Sequence, residues 1–170
     1  KVKSAIQEER FTRKKHDDSF PENSIRYILK SNNITIGDID HIVFYEKPLL
    51  KFERLLETYL DNSPFGIQSF SKSMPVWSQE KIFQKQNIFS YLKEIDREFN
   101  DIQKIQFVEH HISHAASAFY PSPFEDAIIL TADGVGEWAT TTVAIGNKNN
   151  LEMQKEINYP HSLGLIYSAF

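Results

Sequence analysis

The 170 residues are 41% hydrophobic and 13% aromatic, enough to bury a core, and 19 basic against 23 acidic side chains leave a net charge of -4. That balance excludes a nucleic-acid-binding surface spread over the whole molecule, and the lack of cysteine excludes disulfides and thiolate metal sites. No apolar run reaches the roughly 20 residues that span a bilayer and no signal-peptide pattern opens the chain, so a cytoplasmic protein that binds neither membrane nor nucleic acid is expected.

Val2-Lys3-Ser4-Ala5-Ile6-Gln7-Glu8 alternates like a strand already under way. With Lys1 in first place, and with the apolar segment 163–170 stopping without a cap or breaker, the chain reads as an interior piece of a longer protein. Glu9-Arg10-Phe11-Thr12-Arg13-Lys14-Lys15-His16-Asp17-Asp18 comes next as a dense run of charges. It is either a solvated loop or a contact for phosphate or carboxylate, for which Arg and Lys are the natural donors. Pro21 suits the first turn of a helix whose apolar face is Ile25, Ile28 and Leu29, ended by Asn32-Asn33.

Asp40-His41-Ile42-Val43-Phe44-Tyr45 reads as a short buried strand, with His41 at its edge. Pro48 opens a second helix with Leu49, Phe52, Leu55, Leu56 and Tyr59 on one face, which leaves Lys47, Lys51 and Arg54 solvated. Ser63-Pro64-Phe65-Gly66 and Met74-Pro75 predict turns. From 77 to 99 the pattern is helical, as one helix or two joined near Gln86-Asn87, with its aromatic residues in the core.

Ile105-Gln106-Phe107-Val108 predicts a strand that leads straight into Glu109-His110-His111-Ile112-Ser113-His114. On a helix, His110 and His114 stand one turn apart on the same face. Such a pair either grips one metal ion or is simply polar at a helix start. His111 faces elsewhere, as a support for the ligands, a general base or packing. The small residues Ala115, Ala116, Ser117 and Ala118 let this helix press close to a sheet or a ligand, and Pro121 and Pro123 end it.

The rhythm then changes to strands at 127–132, 140–145 and 151–157, a meander after an α/β segment. A boundary within 121–125 divides the chain into subdomains 1–124 and 125–170. Between the first two of these strands lies Asp133-Gly134-Val135-Gly136-Glu137-Trp138. Asp133, at a strand tip, completes a two-histidine, one-carboxylate face that suits Fe(II) or Zn(II) and leaves coordination positions open. Gly134 and Gly136 admit φ > 0 and offer bare N–H groups to phosphate, or they form a tight hairpin turn. Tyr159-Pro160-His161-Ser162-Leu163-Gly164 brings a further polar group or an anion-binding helix start, or is a loop entering a helix. Glu109 precedes the histidine pair instead of lying inside it, so the HExxH pattern of zinc hydrolases is not met. A zinc hydrolase and a non-catalytic, nucleotide-binding interaction domain stand as the alternative functions.

Glu8-Glu9-Arg10-Phe11-Thr12-Arg13, the stretch from Glu109 to Phe119, Asp133-Gly134-Val135-Gly136-Glu137-Trp138-Ala139-Thr140-Thr141 and Pro160-His161-Ser162-Leu163-Gly164-Leu165 together resemble the O-carbamoyltransferases. This is the family of the nodulation and cephamycin carbamoyltransferases and nebramycin synthase. The resemblance implies part of an actin-like ATPase (ribonuclease-H-like) fold. It also implies a partner domain elsewhere in the polypeptide, similar to the threonylcarbamoyl-adenylate synthases, that makes carbamoyl-adenylate from carbamoyl phosphate and ATP. The actin-like domain then passes the carbamoyl group to a hydroxyl of a sugar or natural product. By the same resemblance His110, His114 and Asp133 hold Fe(II) or Zn(II) with an aspartate from later in the polypeptide. Arg10 and Lys14 or Lys15 lie near the nucleotide or carbamoyl group, and Gly134, Gly136 and His161 complete that candidate set. His111 is the candidate catalytic base for the hydroxyl proton. The family's glycine-rich adenosine-binding segments, fourth ligand and synthase domain are absent from these residues, so the piece alone is expected to be inactive.

Overall fold

Helices dominate the first part of the chain and a run of three strands follows them. The computed structural model describes residues 2–170, the side chains of 76 and 78–81 excepted. In chain order the elements are α1 (Glu9–Thr12), α2 (Glu22–Asn32), β1 (Ile42–Phe44), α3 (Pro48–Asp61), α4 (Ile67–Ile82), α5 (Gln84–Ile95), β2 (Ile105–Phe107), α6 (His110–Phe119), β3 (Asp126–Ala132), β4 (Ala139–Asn147), β5 (Asn150–Asn158) and α7 (Leu163–Ala169). Short 3-10 turns lie at Ile36–Asp38 and Ile102–Lys104. The protein is of the α/β class, with a two-stranded sheet β1–β2 and a three-stranded sheet in the order β3–β4–β5. None of its described helices is long and apolar enough to cross a membrane.

The two ends of α2 are closed in different ways, one locally and one by a residue from outside the helix. Asn33 closes the helix in the left-handed conformation at φ 54°, and its N–H returns to the carbonyls of Leu29 and Lys30. Asn adopts that conformation more readily than most residues. At the other end Pro21 brings no side-chain acceptor. Glu8 supplies one from outside the helix: its carboxylate accepts from Ser24 N–H at 2.8 Å, Asn23 N–H at 3.2 Å and Asn23 Nδ2 at 2.7 Å. Unpaired N–H groups and the positive end of the helix dipole both favour an anion there.

Burial alone would push the Glu8 carboxyl up, but the hydrogen bonds from Ser24 and Asn23 outweigh it and hold the group below its ordinary value of 4.5. A lowered folded pKa means the contribution is complete above the ordinary value and is lost as pH falls through the folded one. Glu8→Ala is therefore expected to lower stability by about 1–3 kcal/mol at neutral pH. Urea unfolding should show the gap between variant and parent narrowing below about pH 4.

Two compact units form, one from the chain up to Ile42 with Gln84–Gln106, the other from Val43–Phe83 and Phe107–Phe170. In the first, Leu29, Ile36, Ile88, Leu92, Phe99 and Ile105 are buried. In the second, Ala115 and Phe119 of α6 pack on Ile129 of β3 and Ala144 of β4. Register explains the match: Ile129 pairs with Ala144 and Thr131 with Thr142, so the inward residues of neighbouring strands lie side by side. Gly146 leaves room for the Phe119 ring, which a Cβ there would strike at 2.6 Å. The change of rhythm at 121–125 separates α6 from β3 and falls inside this second unit.

Several expectations are corrected. Segment 2–8 forms no strand, because a strand needs a ladder partner and none pairs with it among the described residues. Met74-Pro75 makes no turn; Pro75 lies inside α4. A proline there removes a helical hydrogen bond, and packing against α3 offsets the loss. Phe70 meets Tyr59 at 4.8 Å between ring centroids, and Met74 and Trp77 share a groove with Phe52 and Leu55. The helical run 77–99 is interrupted at Phe83, ahead of the expected join.

Candidate metal centre

The helix that carries the histidines begins directly after β2. Val108 N–H donates to the Phe44 carbonyl at 3.0 Å, and Glu109 then turns the chain into α6 with φ -58° and ψ 141°. One helical turn separates His110 from His114, so their rings share a face, edge to face with centroids 4.5 Å apart. Their Nε2 atoms are 3.0 Å apart. Asp133 comes directly after the last residue of β3, with its N–H donating to the Thr140 carbonyl at 2.8 Å. Its Oδ2 lies 2.7 Å from His110 Nε2 and 3.9 Å from His114 Nε2. Gly134 N–H donates to Oδ1 at 2.6 Å, which leaves Oδ2 for the imidazoles.

This donor set fits a divalent cation. Atoms about 2.1 Å from one ion stand about 3.0 Å apart at right angles and about 3.4 Å apart at tetrahedral angles; the three edges here, 2.7, 3.0 and 3.9 Å, bracket both. A single proton on His110 Nε2 cannot serve both neighbours well, because the atom would donate to Asp133 or accept from His114. A cation within the triangle would satisfy all three atoms together. His110 Nδ1 is buried with no hydrogen-bond partner among the described residues, so the polar contacts of the ring fall on Nε2. Burial pushes the Asp133 carboxyl up, but the Gly134 and His110 hydrogen bonds and the two nearby imidazoles outweigh it, leaving the pKa below its ordinary value. It is thus ionised at neutral pH, as a ligand must be. His110 is 17% exposed and His114 49%, so the triangle reaches solvent on the His114 side.

His111 points into the interior. It is 3% exposed, and its Nδ1 lies 2.7 Å from Thr131 Oγ1 and 3.3 Å from Thr142 Oγ1. Burial, then the neighbouring His110, holds its pKa below the ordinary value. Of the roles open to it, this placement favours support of α6 over direct proton exchange with a substrate.

The two glycines of the Asp133 loop correct the expected phosphate cradle. Among the described glycines only Gly66 has positive φ. Gly136 N–H is already bonded to the Ala139 carbonyl at 2.9 Å, as Gly134 N–H is to Asp133, so neither offers a bare donor. Gly136 is required for a different reason: a Cβ would come within 2.9 Å of both the Ala139 carbonyl and the His111 ring.

Arg54 is a further correction. Instead of being solvated it is 8% exposed, with Nη1 donating to the Gly136 carbonyl at 2.9 Å and its guanidinium 5.6 Å from the centre of the Tyr159 ring. Burial lowers its pKa against the pull of Tyr159, Glu137 and Glu46. Lys47 pairs with Glu109 and Lys51 with Glu46, each at 2.7 Å. Glu137, absent from the sequence-derived candidates, is buried and binds the N–H groups of Lys47 and His110. Its partners lie 90 and 27 residues away, and nothing local to Glu137 marks it.

His161 is exposed, and its carbonyl accepts from Thr140 Oγ1 at 2.6 Å. Next to it, Ser162 Oγ contacts the carbonyls of Asp133 and Gly134 at 3.0 and 2.7 Å and accepts from Leu165 N–H, so it caps α7 and fixes the Asp133 backbone at once. Arg10, Lys14 and Lys15 belong to the other unit, where all three are exposed and Lys14 faces Asp17 and Asp18 at 3.5 and 3.6 Å.

Comparison with known proteins gives this geometry a context. The uncharacterized protein sll1178 of Synechocystis sp. is 54% identical over 170 residues, 99% of this chain and 28% of that protein. Nodulation protein NolNO of Sinorhizobium fredii is 33% identical over 168 residues, 98% of this chain and 22% of NolNO. The uncharacterized protein MJ1051 of Methanocaldococcus jannaschii is 28% identical over 165 residues, 97% of this chain and 24% of that protein. The chain thus spans about a quarter of the length of these relatives. The family model described as Carbamoyltransferase N-terminus matches residues 1–170. From that match over its whole length, the chain belongs to the carbamoyltransferase N-terminus family.

Proposed function

We propose that the chain carries the metal-bearing part of an O-carbamoyltransferase. The carbamoyl group moves from carbamoyl-adenylate, made from carbamoyl phosphate and ATP by a synthase domain elsewhere in the polypeptide, to a hydroxyl of a sugar or natural product. The convergence of His110 Nε2, His114 Nε2 and Asp133 Oδ2 carries this reading, and membership of the family supplies the reaction class. The reading includes an actin-like fold whose second subdomain opens at residue 125, and a cytoplasmic setting; the α/β elements and the meander β3–β4–β5 with α6 on one face support the fold.

Transfer breaks the bond between the carbamoyl carbon and the phosphate oxygen of AMP, forms a bond to the acceptor oxygen, and releases the acceptor proton to a base. Fe(II) or Zn(II), when bound, supplies a Lewis acid for a carbonyl or hydroxyl oxygen. His110 and His114 hold it through Nε2 and Asp133 through Oδ2, with an aspartate from outside these residues. Arg10, Lys14 and Lys15 offer the cationic donors that an adenylate and a departing phosphate require. His161, the exposed neighbour of Ser162, is assigned in this reading to orienting the carbamoyl group. In this reading His111, whose Nδ1 faces Thr131 and Thr142, supports α6, and a base outside these residues takes the acceptor proton.

In the full-length enzyme, His114→Ala is expected to reduce carbamoyl transfer by more than about 100-fold while carbamoyl-adenylate synthesis continues. Separate assays of pyrophosphate release from ATP, which accompanies adenylate formation, and of carbamoylated product distinguish the two steps. Transfer at the parent rate would overturn the reading.

A further inference from the structure

The candidate ligands come from two elements, His110 and His114 from α6 and Asp133 from the loop after β3. Their separation depends on whatever fixes that loop to that helix. Glu109, the residue before α6, makes no side-chain cap to the helix, and its carboxylate is held by Lys47 Nζ at 2.7 Å. The first N–H of α6 is satisfied from the loop instead. Glu137, 6% exposed, accepts from His110 N–H with Oε1 at 3.1 Å and Oε2 at 3.0 Å, and Oε1 also accepts Lys47 N–H at 2.7 Å. One residue earlier, the Gly136 carbonyl is anchored by the buried Arg54 and its N–H by the Ala139 carbonyl. Asp133 is therefore joined through a short, doubly anchored loop to the backbone of a histidine it faces.

Resting on the metal reading above, we propose that Glu137 is a positioning residue for the metal centre. It acts by accepting His110 N–H, which locks the Asp133 loop to the start of α6, and Lys47 N–H, which ties the same loop to the start of α3. A buried carboxylate can take both bonds without protons of its own to place, and the partly positive helix start favours it. The role is steric and directional: what matters is an acceptor at the Oε1 position, more than negative charge near a cation.

Co(II), supplied alone to the full-length protein, reads this centre through its visible ligand-field band, and His114→Ala identifies the band that belongs to it. Glu137→Ala is expected to weaken Co(II) binding about 10–100-fold and to alter the band, the usual effect of losing a residue that orients a ligand. Glu137→Gln keeps an amide oxygen where Oε1 stands and is expected to bind within about threefold of the parent. Hydrogen exchange of the His110 and Lys47 amides gives a readout that needs no metal, faster in Glu137→Ala and near the parent rate in Glu137→Gln. Equal losses in the two variants would show that an acceptor at the Oε1 position is not enough and overturn the proposal, as would parent-like affinity and band in Glu137→Ala. A parent that binds no Co(II) overturns the metal reading and with it this role for Glu137. Changed amide exchange in Glu137→Ala would then still distinguish a real loop clamp from a failed one.

Discussion

Asp133→Asn is expected to leave the fold standing and to remove metal binding. An asparagine amide oxygen can still accept Gly134 N–H in place of Oδ1, which now lies at 2.6 Å from that donor. Its NH2 group would then occupy the Oδ2 position, 2.7 Å from His110 Nε2 and 3.9 Å from His114 Nε2. A donor with no available lone pair replaces the one anionic member of the set. Residues that only orient a ligand are worth about 10–100-fold in metal affinity, so losing a direct ligand should cost more than about 100-fold. Thermal unfolding checks this without any assay of transfer. A ligand at about 100 times its Kd stabilises the folded state by about 2.7 kcal/mol, so Zn(II) should raise the melting temperature of the parent and leave Asp133→Asn where it was. Asp133→Ala should behave the same toward Zn(II) but melt lower without metal, because Gly134 N–H loses its acceptor. A zinc-induced shift of parent size in either variant would remove Asp133 from the ligand set.

The parts of this centre legible from sequence are those fixed by local geometry. His110 and His114 share a face because any helix aligns residues four apart, and a strand leading into Glu109 sets where the helix starts. Asp133 is readable for a similar reason: it is the first charged residue after the strand 127–132, and a residue so placed stands at the strand's tip. The meander β3–β4–β5 announces itself by three successive strand-like runs and by Lys148-Asn149 at the turn between the last two. Partners chosen by tertiary structure are not legible. Arg54 lies off the apolar face of α3 and looks like a solvated charge, yet the Gly136 carbonyl, 82 residues away, makes it a buried one. Glu8 looks like the end of a strand, and its burial stems from an α2 start that lacks an acceptor. The glycines beside Asp133 carry the composition of a phosphate-binding turn, but the bonds their N–H groups already make and, for Gly136, the closeness of His111 and Ala139 decide their role.

Those glycines, with a third, lead to the sharpest structural contrast: Gly164→Ala is expected to displace Asp133, and Gly134→Ala to leave it in place. Neither glycine has positive φ, so backbone conformation would tolerate alanine at both. Contact separates them. A Cβ on Gly164 would collide with the Asp133 carbonyl and lie 2.7 Å from Gly134 N. All of these are backbone atoms, which cannot swing aside as a side-chain tip can. Ser162 Oγ contacts the carbonyls of Asp133 and Gly134, so the 160–164 segment at the start of α7 and the Asp133-Gly134 peptide can part only by breaking that tie. On Gly134 the nearest atom to a new Cβ is Leu165 Cδ2 at 3.8 Å, an ordinary contact with a flexible methyl group. Overpacking costs about 1–3 kcal/mol where side chains can adjust, and with rigid backbone on the opposing side Gly164→Ala should lie at about the upper end. Its affinity for Co(II) should fall by about tenfold or more as Asp133 Oδ2 leaves the imidazoles. Gly134→Ala should stay within about 0.5 kcal/mol of the parent and keep its metal. Urea unfolding and Co(II) titration of the pair give the comparison, and equal tolerance of the two alanines would show that the 160–164 segment does not hold Asp133.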